Sequence, residues 1–269
     1  MLPTLTIQGV ALFAISYDAV ALLRGFATEH GISFPLLSDE GSHAIQRLGL
    51  LNERVQEDHA AYGVQPNPRH VGVPYPGVFV LDERGIVVRK RFHESYRERD
   101  TGSGLIADTL EGLGVTPVVD ESNATHPVRI RVWLDSPTFA WFQRLRLTIE
   151  VATAPGVGVY GHPAPPGVVP LTVSVAPIEG LEVGPTTWPP PRHVHGIPEE
   201  VAVHVGTIRG SLPLTFTAPP GQGDQIVQVS VAYQACRDSS VLPASSIHFD
   251  LPLQERALIG RVLPAERKI

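Results

Sequence analysis

The single cysteine of this 269-residue chain, Cys236, is the residue best suited to covalent chemistry. It follows a run of alternating apolar and polar residues over 226–233 that predicts a β-strand, and polar turn residues come after it. One interpretation is a packed, unreactive thiol, the usual state of a free cysteine. The other is a reactive thiol that forms a mixed disulfide with a partner, with the adjacent Arg237 favouring the thiolate.

A pair of histidines, His193 and His195, is the second group that suits a chemical role. Two histidines at positions i and i+2 of a strand share one face, and zinc accepts such imidazoles together with Cys236 or a carboxylate. However, the proline-rich residues 188–192 predict a loop, in which that alternation does not apply. Solvated loop histidines are therefore the alternative to a metal site, and the sequence predicts no cofactor. His162 and His204 lie elsewhere in the same predicted domain.

Composition restricts the function classes. Hydrophobic residues make up 43% and charged residues 18% of the chain, as in a globular protein. The formal net charge of −6 argues against a nucleic-acid or anionic-membrane partner. The basic run Arg89–Arg91 is explained by a solvated strand edge. One cysteine excludes an internal disulfide, and no stretch approaches the roughly 20 apolar residues of a membrane helix. The chain as written predicts a soluble, cytoplasmic protein.

Residues 73–92 predict a β-hairpin around which the first half of the chain is organised. Val78–Leu81 is a continuous apolar run, which predicts a strand buried on both faces. Asp82–Gly85 supplies turn residues, and Ile86–Phe92 mixes charged and apolar residues as an edge strand does. Pro76 cannot donate to a sheet ladder and is expected at the start of the first strand.

The segment before the hairpin predicts two strand–helix pairs. The apolar run 9–16 predicts a strand, Asp18 a helix N-cap and Gly31 the left-handed end of that helix. Asp39 is expected at the start of the second helix. Capping explains both aspartates, so an acid–base role is the weaker interpretation. Three other stretches complete the prediction: a strand-like start over 1–8, a loop over 52–72 and a closing helix over 105–113.

From Arg129 onward the hydrophobic period changes to two, which is typical of short strands separated by proline- and glycine-rich turns. Six to eight such strands predict an all-β sandwich of immunoglobulin-like type. The predicted organisation is an α/β domain over 1–114, a linker over 115–127, the sandwich over 128–253 and a tail over 254–269.

Three sequence blocks in the first half resemble the alkyl hydroperoxide reductase/thiol-specific antioxidant family, which is peroxiredoxin-like. They are AISYD at 14–18, FPLLSD at 34–39 and FVLDERG at 79–85. The resemblance covers residues 8–113 and implies a thioredoxin-like fold. It also implies a thiol-dependent peroxidase or oxidoreductase that works with a thiol redox partner protein. In that family a proline, usually cis, faces the redox cysteine, so Tyr75 and Pro76 are expected to be remnants of the redox-site surface.

In the same family a first strand and helix carry the peroxidatic cysteine at the helix N-terminus. Only nine residues precede the strand-forming run here, whereas such a unit needs roughly 30 residues. The resemblance therefore implies a thioredoxin-like domain that is incomplete at its N-terminus. Either the start has been placed too late, or the chain has lost this unit and is not an enzyme. An unpaired sheet edge at this position predicts a homo-oligomer.

A second resemblance covers the end of the sandwich. Tyr233, Gln234 and Cys236 are similar to the YQ-x-C pattern of the N-terminal immunoglobulin-like domain of the thiol–disulfide interchange reductase. In that family a second cysteine follows, and here its place is taken by Leu242, before Pro243. A dithiol exchange cycle therefore cannot run in this domain alone. A non-catalytic binding protein, with a sandwich that recognises a partner, is the alternative to a redox function.

Overall fold

The computed structural model describes residues 2–7, 9–61, 65, 71–93, 98–109, 119–125, 127–196, 199–217, 223–237 and 240–256. The chain divides into two compact units, Met1–Arg99 and Asp100–Ile269. Within the described residues, no helix is long and apolar enough to span a membrane.

The first unit mixes short helices with two separate two-stranded sheets. Strands β1 and β2 pair in parallel, whereas β3 and β4 form the antiparallel hairpin. Its elements are α1 (Leu2–Ile7), β1 (Ala14–Ser16), α2 (Val20–Glu29), β2 (Leu36–Ser38), α3 (His43–Arg47), α4 (Val55–Ala61), β3 (Gly77–Leu81) and β4 (Val87–Phe92).

The hairpin prediction is confirmed, and its turn shows why the chain reverses there. The Asp82 carboxylate accepts hydrogen bonds from the backbone N–H groups of Arg84 (3.0 Å) and Ile86 (2.9 Å), and Gly85 adopts φ +77°. These backbone hydrogen bonds, chiefly the one from Ile86, lower the pKa of Asp82. Strand β3 is half-buried rather than buried on both faces, because its only strand neighbour among the described residues is β4.

A glycine begins β3 because no side chain fits there. A Cβ on Gly77 would lie 1.9 Å from the ring of Phe92, the residue opposite it in the register. The Phe92 ring in turn meets Phe79 edge-on, with centroids 5.1 Å apart. The position of Pro76 immediately before β3 also agrees with the prediction.

Helix capping follows the predicted pattern in part. Gly31 ends α2 with φ +61°, as expected. The Asp39 carboxylate accepts the N–H groups of Ala44 (2.9 Å) and Ile45 (2.8 Å) at the start of α3, and these bonds lower its pKa. Asp18 is not a cap, because α2 begins after Ala19 and the Asp18 carboxylate instead accepts the Ser16 hydroxyl at 2.6 Å.

Two other predictions for this unit are wrong. Residues 2–7 form helix α1 rather than a strand, and α4 occupies part of the predicted loop over 52–72. In both cases the hydrophobic side chain that the helix buries decides the conformation: Leu5 in α1 and Val55 in α4. Short apolar runs do not distinguish the two periodicities by themselves.

The second unit is dominated by two antiparallel-rich sheets. The seven-stranded sheet has the order β13-β14-β10-β16-β17-β8 with β11 against β16, and the other sheet contains β12-β15-β9-β7-β6. Its elements are β5 (Arg99–Asp100), α5 (Gly102–Thr109), β6 (Val119–Thr125), β7 (Val128–Leu134), β8 (Thr138–Phe139), β9 (Gln143–Thr153), β10 (Val157–Tyr160), β11 (Thr172–Val175), β12 (Leu181–Val183), β13 (Arg192–Gly196), β14 (Glu199–Val205), β15 (Thr207–Phe216), β16 (Gln225–Arg237) and β17 (Ser240–Glu255).

One hydrophobic core lies between these two sheets, so the unit is a β-sandwich. Alternate residues of β7, β9, β15, β16 and β17 point inward and are buried, as the period of two predicts. Phe139 stacks on Phe216 with ring centroids 4.1 Å apart. Burying one such large side chain contributes about 1.5–3 kcal/mol.

The domain boundaries predicted from the sequence differ from the division into the two units, Met1–Arg99 and Asp100–Ile269. Helix α5 belongs to the second unit because Thr101, which caps it through a hydrogen bond from the Gly104 N–H, also bonds the buried Asp135 carboxylate. Within the predicted linker, residues 119–125 form strand β6 against β7. At the other end β17 continues to Glu255, while the remainder of the predicted tail, 257–269, lies outside the described residues.

Candidate functional site

Cys236 lies near the end of β16, where the sheet is irregular. It is opposite Gly158 on β10 and opposite Val241 on β17, and the register shifts between Gln234 and Cys236. Its thiol is free and half-buried. The absence of a side chain on Gly158 leaves room beside the thiol, since a Cβ there would lie 3.5 Å from the Cys236 sulfur. A bulge at this point re-aims the side chain that follows it.

The hydroxyl of Tyr160 is the polar neighbour of this thiol. Tyr160 ends β10, two residues beyond Gly158, and is 7% exposed. Burial, followed by the electrostatic and hydrogen-bonding influence of the neighbouring Cys236, raises the pKa of Tyr160. A phenol that stays protonated is a hydrogen-bond donor for a thiolate, so the pair suits a nucleophilic sulfur.

Gln234 fixes the backbone on both sides of this site. Its Oε1 accepts the Val169 N–H at 3.0 Å, and its Nε2 donates to the Leu242 carbonyl at 2.9 Å. The Leu242 side chain packs against the core of the sandwich. The position at which the resemblance expects a second cysteine is therefore occupied by an apolar packing contact.

The predicted histidine pair lies on a strand rather than in a loop. His193 and His195 belong to β13, opposite Ala202 and Glu200 of β14. Residues 188–191 lie outside any strand, as predicted, but the placement of the two histidines in that loop was wrong, because β14 pairs with the segment from Arg192 onward. The side chains of both histidines lie outside the described residues, and among those that are described no cluster of three metal-ligating side chains occurs.

His204, on the neighbouring strand β14, is described and buried. Burial lowers its pKa, which favours the neutral imidazole. Its ring centroid lies 6.1 Å from that of Trp188. The register places His204 on the same face of β14 as Ala202, the residue opposite His193. Because the side chains of His193 and His195 are outside the described residues, the metal site stays a prediction.

Tyr75 and Pro76 lie in the segment that enters β3, and both are half-buried. The Tyr75 N–H donates to the Leu50 carbonyl at 2.8 Å, and an isolated bridge joins Leu51 to Pro74. In the described part of the chain the cis peptide bond is His162–Pro163, so the bond before Pro76 is trans, unlike the usual bond of the resembled family.

Sequence comparison with known families gives a match at the N-terminal end of the chain. Residues 1–90 match the sequence model of the AhpC/TSA family. They are called the AhpC/TSA segment below, after this match. The match confirms the family resemblance of the first unit and implies its thioredoxin-like fold. No curated protein matches the chain.

Several solved structures are similar to this chain at low identity. The N-terminal periplasmic domain of ScsB from Proteus mirabilis is 11% identical, with a TM-score of 0.37, over 52% of this chain and 52% of that one. The DsbD N-terminal domain of Neisseria meningitidis is 14% identical, with a TM-score of 0.28, over 39% and 74%. The GGA1 GAE domain of yeast is 14% identical, with a TM-score of 0.30, over 49% and 98%. The chain thus spans about half the length of the ScsB domain.

The AhpC/TSA segment contains no cysteine, because the only one in the sequence is Cys236. Any thiol chemistry of this chain therefore belongs to the second unit or uses a thiol from another polypeptide. Sequence analysis identified Cys236 but missed Tyr160. The alternation over Val157–Tyr160 puts Gly158 and Tyr160 on one face, yet only the pairing of β10 with β16 brings that face to the cysteine.

Proposed function

We propose that this protein has a thiol-redox function and that, within this chain, Cys236 is the reacting group. The observation that carries the proposal is a half-buried free thiol at a register shift of β16, opposite Gly158 and beside Tyr160 on the paired strand β10. The AhpC/TSA match supports a thiol-redox role in general. Because no second thiol is present, Cys236 acts with a thiol or disulfide of a partner protein.

The reaction that suits a single thiol is disulfide exchange through a mixed disulfide. The Cys236 thiolate attacks one sulfur of a partner disulfide, R–S–S–R′, forms Cys236–S–S–R and releases R′–S⁻, which takes a proton from water. A second thiolate then attacks the mixed disulfide at the R sulfur and returns Cys236 as a thiolate. The hydroxyl of Tyr160 is the donor that would stabilise the Cys236 thiolate before the attack and again when the thiolate is released, whereas the sulfur of the mixed disulfide is neutral.

Peroxide reduction, the activity that the family resemblance implies, is the more specific form of this proposal. We infer that it requires a peroxidatic cysteine that residues 1–90, the part matching the AhpC/TSA family, do not supply, since the single cysteine of the sequence is Cys236. A slow peroxide reaction at Cys236 is the competing route. In that route the thiolate takes one oxygen of hydrogen peroxide to form Cys236–SOH, and hydroxide leaves.

Intact-mass measurement separates these routes. The folded protein is incubated with glutathione disulfide, and a single glutathione adduct is expected on the wild type and none on Cys236→Ser. Peroxide consumption is measured on the same two proteins. Equal, background-level consumption excludes peroxidase activity at Cys236, whereas the lack of an adduct on the folded wild type would overturn the exchange function itself.

The alternative function is a non-catalytic binding protein whose immunoglobulin-like sandwich recognises a partner. The observation that favours it is a group of arginines on the outer face of the six-stranded sheet, around a buried glutamate. A Cys236→Ser protein that retains its cellular partners would support binding over redox chemistry. Loss of every partner in that variant would contradict it.

A further inference from the structure

His204 is a buried imidazole on β14 that has no hydrogen-bond partner among the described residues. Only 5% of its surface is exposed. The ring contact that it makes in the described part of the chain is with Trp188, at a centroid distance of 6.1 Å. A polar group that is buried without a hydrogen bond costs free energy, and the cost is much higher when the group carries a charge. The buried position of His204 therefore suits the neutral imidazole.

The immediate neighbours of the His204 ring are apolar or lack a side chain. A Cβ on Gly161 would lie 3.0 Å from His204 Nε2 and 3.2 Å from the Pro191 Cβ, so the missing side chain of Gly161 leaves space for the ring. Val159, which is opposite His204 on β10, is buried in the core. The side chains of these neighbours offer no acceptor for the second N–H that protonation would give the ring.

Three titratable residues of β13 and β14 are close to His204 in the register. Glu200 and His193 belong to the same face, and their side chains lie outside the described residues. Arg192 is opposite Val203 and therefore belongs to the other face. Residues 184–191, which include Trp188 and Pro191, contain no titratable side chain. Burial is the cause that lowers the pKa of His204 below its ordinary value of 6.5, so a proton on this ring is not compensated by a neighbouring charge.

Strand β14 connects His204 to the residues that surround the Cys236 thiol. Val203 and Val205 precede and follow His204, so they lie on the opposite face of β14. A Cβ on Gly158 would lie 3.4 Å from the Val203 Cβ and 3.5 Å from the Val205 Cγ1. It would also lie 3.5 Å from the Cys236 sulfur. The two valines therefore bound the space beside the thiol, and a displacement of β14 at His204 moves both of them.

We propose that His204 controls the access of a partner to Cys236 and that acid opens this access. In acid the unprotonated nitrogen of the ring takes a proton from water, and the imidazolium leaves its buried position to be hydrated. Strand β14 then separates from β10, and the space over Gly158 opens to the thiol or disulfide of the partner. The effect on Cys236 rests on the proposed thiol-redox function, whereas the opening of β14 is independent of it.

The direction of the pH dependence follows from the neutral state of the buried ring. The pKa of His204 is lower in the folded protein than its ordinary value of 6.5. The neutral imidazole therefore contributes its full stabilisation of the closed arrangement above pH 6.5, and this stabilisation is lost as the pH falls through the pKa of the folded protein.

The test of the opening is hydrogen exchange of the full chain at about pH 7.5 and about pH 5.5, on either side of the ordinary imidazole pKa. Rates are corrected for the pH dependence of chemical exchange and compared with those of β9. We expect the amides of β14 in the wild type to exchange roughly threefold to tenfold faster at the lower pH. His204→Gln cannot carry the charge and should show no such increase. His248→Gln is the matched control, because His248 is an exposed histidine on β17, and it should behave like the wild type.

A second variant, His204→Leu, keeps the test valid if His204→Gln does not fold. Leucine suits the apolar surroundings, so β14 should stay protected at both pH values. The reaction of Cys236 with dipyridyl disulfide is followed on the same proteins, and the rate of the wild type relative to that of His204→Leu should rise on acidification.

Two outcomes overturn the proposal: exchange in β14 of the folded wild type that does not change with pH, or an equal increase in the wild type and in the His204 variants. The glutathione reaction of the wild type is measured in parallel. If β14 opens in acid but no glutathione adduct forms at either pH, the thiol-redox function fails and the opening stands. If the adduct forms while β14 stays closed at both pH values, the control by His204 fails and the thiol-redox function stands.

Discussion

At the scale of single residues, Tyr160 and Asp135 are two of the buried polar groups of the second unit, and they have different roles. Tyr160 contacts the thiol of Cys236, whereas Asp135 holds the start of α5 through Thr101 and accepts the Arg146 N–H at 2.9 Å. Removing either polar group leaves its partner unsatisfied in a buried position, which costs more than the hydrogen bond itself contributes.

The Tyr160 hydroxyl is expected to control the reactivity of Cys236. In Tyr160→Phe the thiolate loses its hydrogen-bond donor, so the rate of reaction with an aromatic disulfide reagent at neutral pH should fall by roughly threefold to tenfold. Tyr75→Phe in the first unit is the control and should react at the wild-type rate. Stopped-flow absorbance measures both, and an unchanged rate in folded Tyr160→Phe would contradict the role given to this hydroxyl.

Asp135 should make the stability of the second unit depend on pH. Burial raises the pKa of Asp135 above its ordinary value of 3.8. The folded state therefore binds a proton at Asp135 more tightly than the unfolded chain does. Protonation of Asp135 stabilises the folded state fully below pH 3.8, and this stabilisation is lost as the pH rises through the pKa of the folded state.

Urea unfolding of the wild type and of Asp135→Asn tests the direction of this pH dependence. The free energy of unfolding of the wild type, minus that of Asp135→Asn, should increase as the pH is lowered from 7 toward about 4. Asp250→Asn, a substitution at an exposed position of β17, serves as the surface control. A difference that decreases on acidification would show that Asp135 is stabilised as the carboxylate.

At the scale of elements, the first unit leaves sheet edges and apolar side chains without partners in the described residues. Strands β1–β2 and β3–β4 are separate two-stranded sheets, and a two-stranded sheet is rarely stable alone. Large hydrophobic side chains around them are exposed, among them Phe13, Ile15, Leu22, Leu37 and Leu81. Among the described residues of this unit, four hydrophobic side chains are buried: Leu5, Leu23, Ile45 and Val55.

We therefore expect the protein to self-associate through the open edge of β1. Light scattering should give a mass above that of the 29.1 kDa chain, rising with concentration. Ile15→Lys places a charge on the exposed edge strand and should shift the protein toward the monomer, while Ile226→Lys on β16 of the second unit is the control. A monomer with cooperative unfolding at all concentrations would contradict this expectation.

At the scale of the whole molecule, the two units differ in how much core they have. The sandwich buries a continuous cluster contributed by both sheets, whereas the first unit buries the four hydrophobic residues named above. Hydrophobic burial is the main favourable contribution to folding, so the two units should not be equally stable.

Hydrogen exchange on the full chain should resolve this difference. Amides of β9, β15 and β16 are expected to exchange only through global unfolding of the sandwich, and amides of β1 and α2 should exchange much faster. Repeating the measurement at a concentration at which the protein self-associates should slow hydrogen exchange selectively at the amides of β1. Equal protection of both units would show that the first unit has stabilising contacts beyond its buried residues.

Much of this architecture was readable from local patterns. The sequence alone determined the hairpin with its Asp82–Gly85 turn, the cap at Asp39 and the alternating strands of the sandwich, because turn chemistry and hydrophobic periodicity act over a few residues. The family of the first unit was also recognisable from three short blocks, since they include these turn and cap residues.

Tertiary structure decided what depends on distant partners. Helices α1 and α4 appear where short apolar runs were ambiguous, and β13 forms because β14 pairs with it. The neighbours named in the proposed functions also come from other strands: the pairing of strands brings Tyr160 close to Cys236, and Arg131 and Arg209 close to Glu150. Strand register joins residues that lie far apart in the chain, and no local periodicity encodes which strands pair.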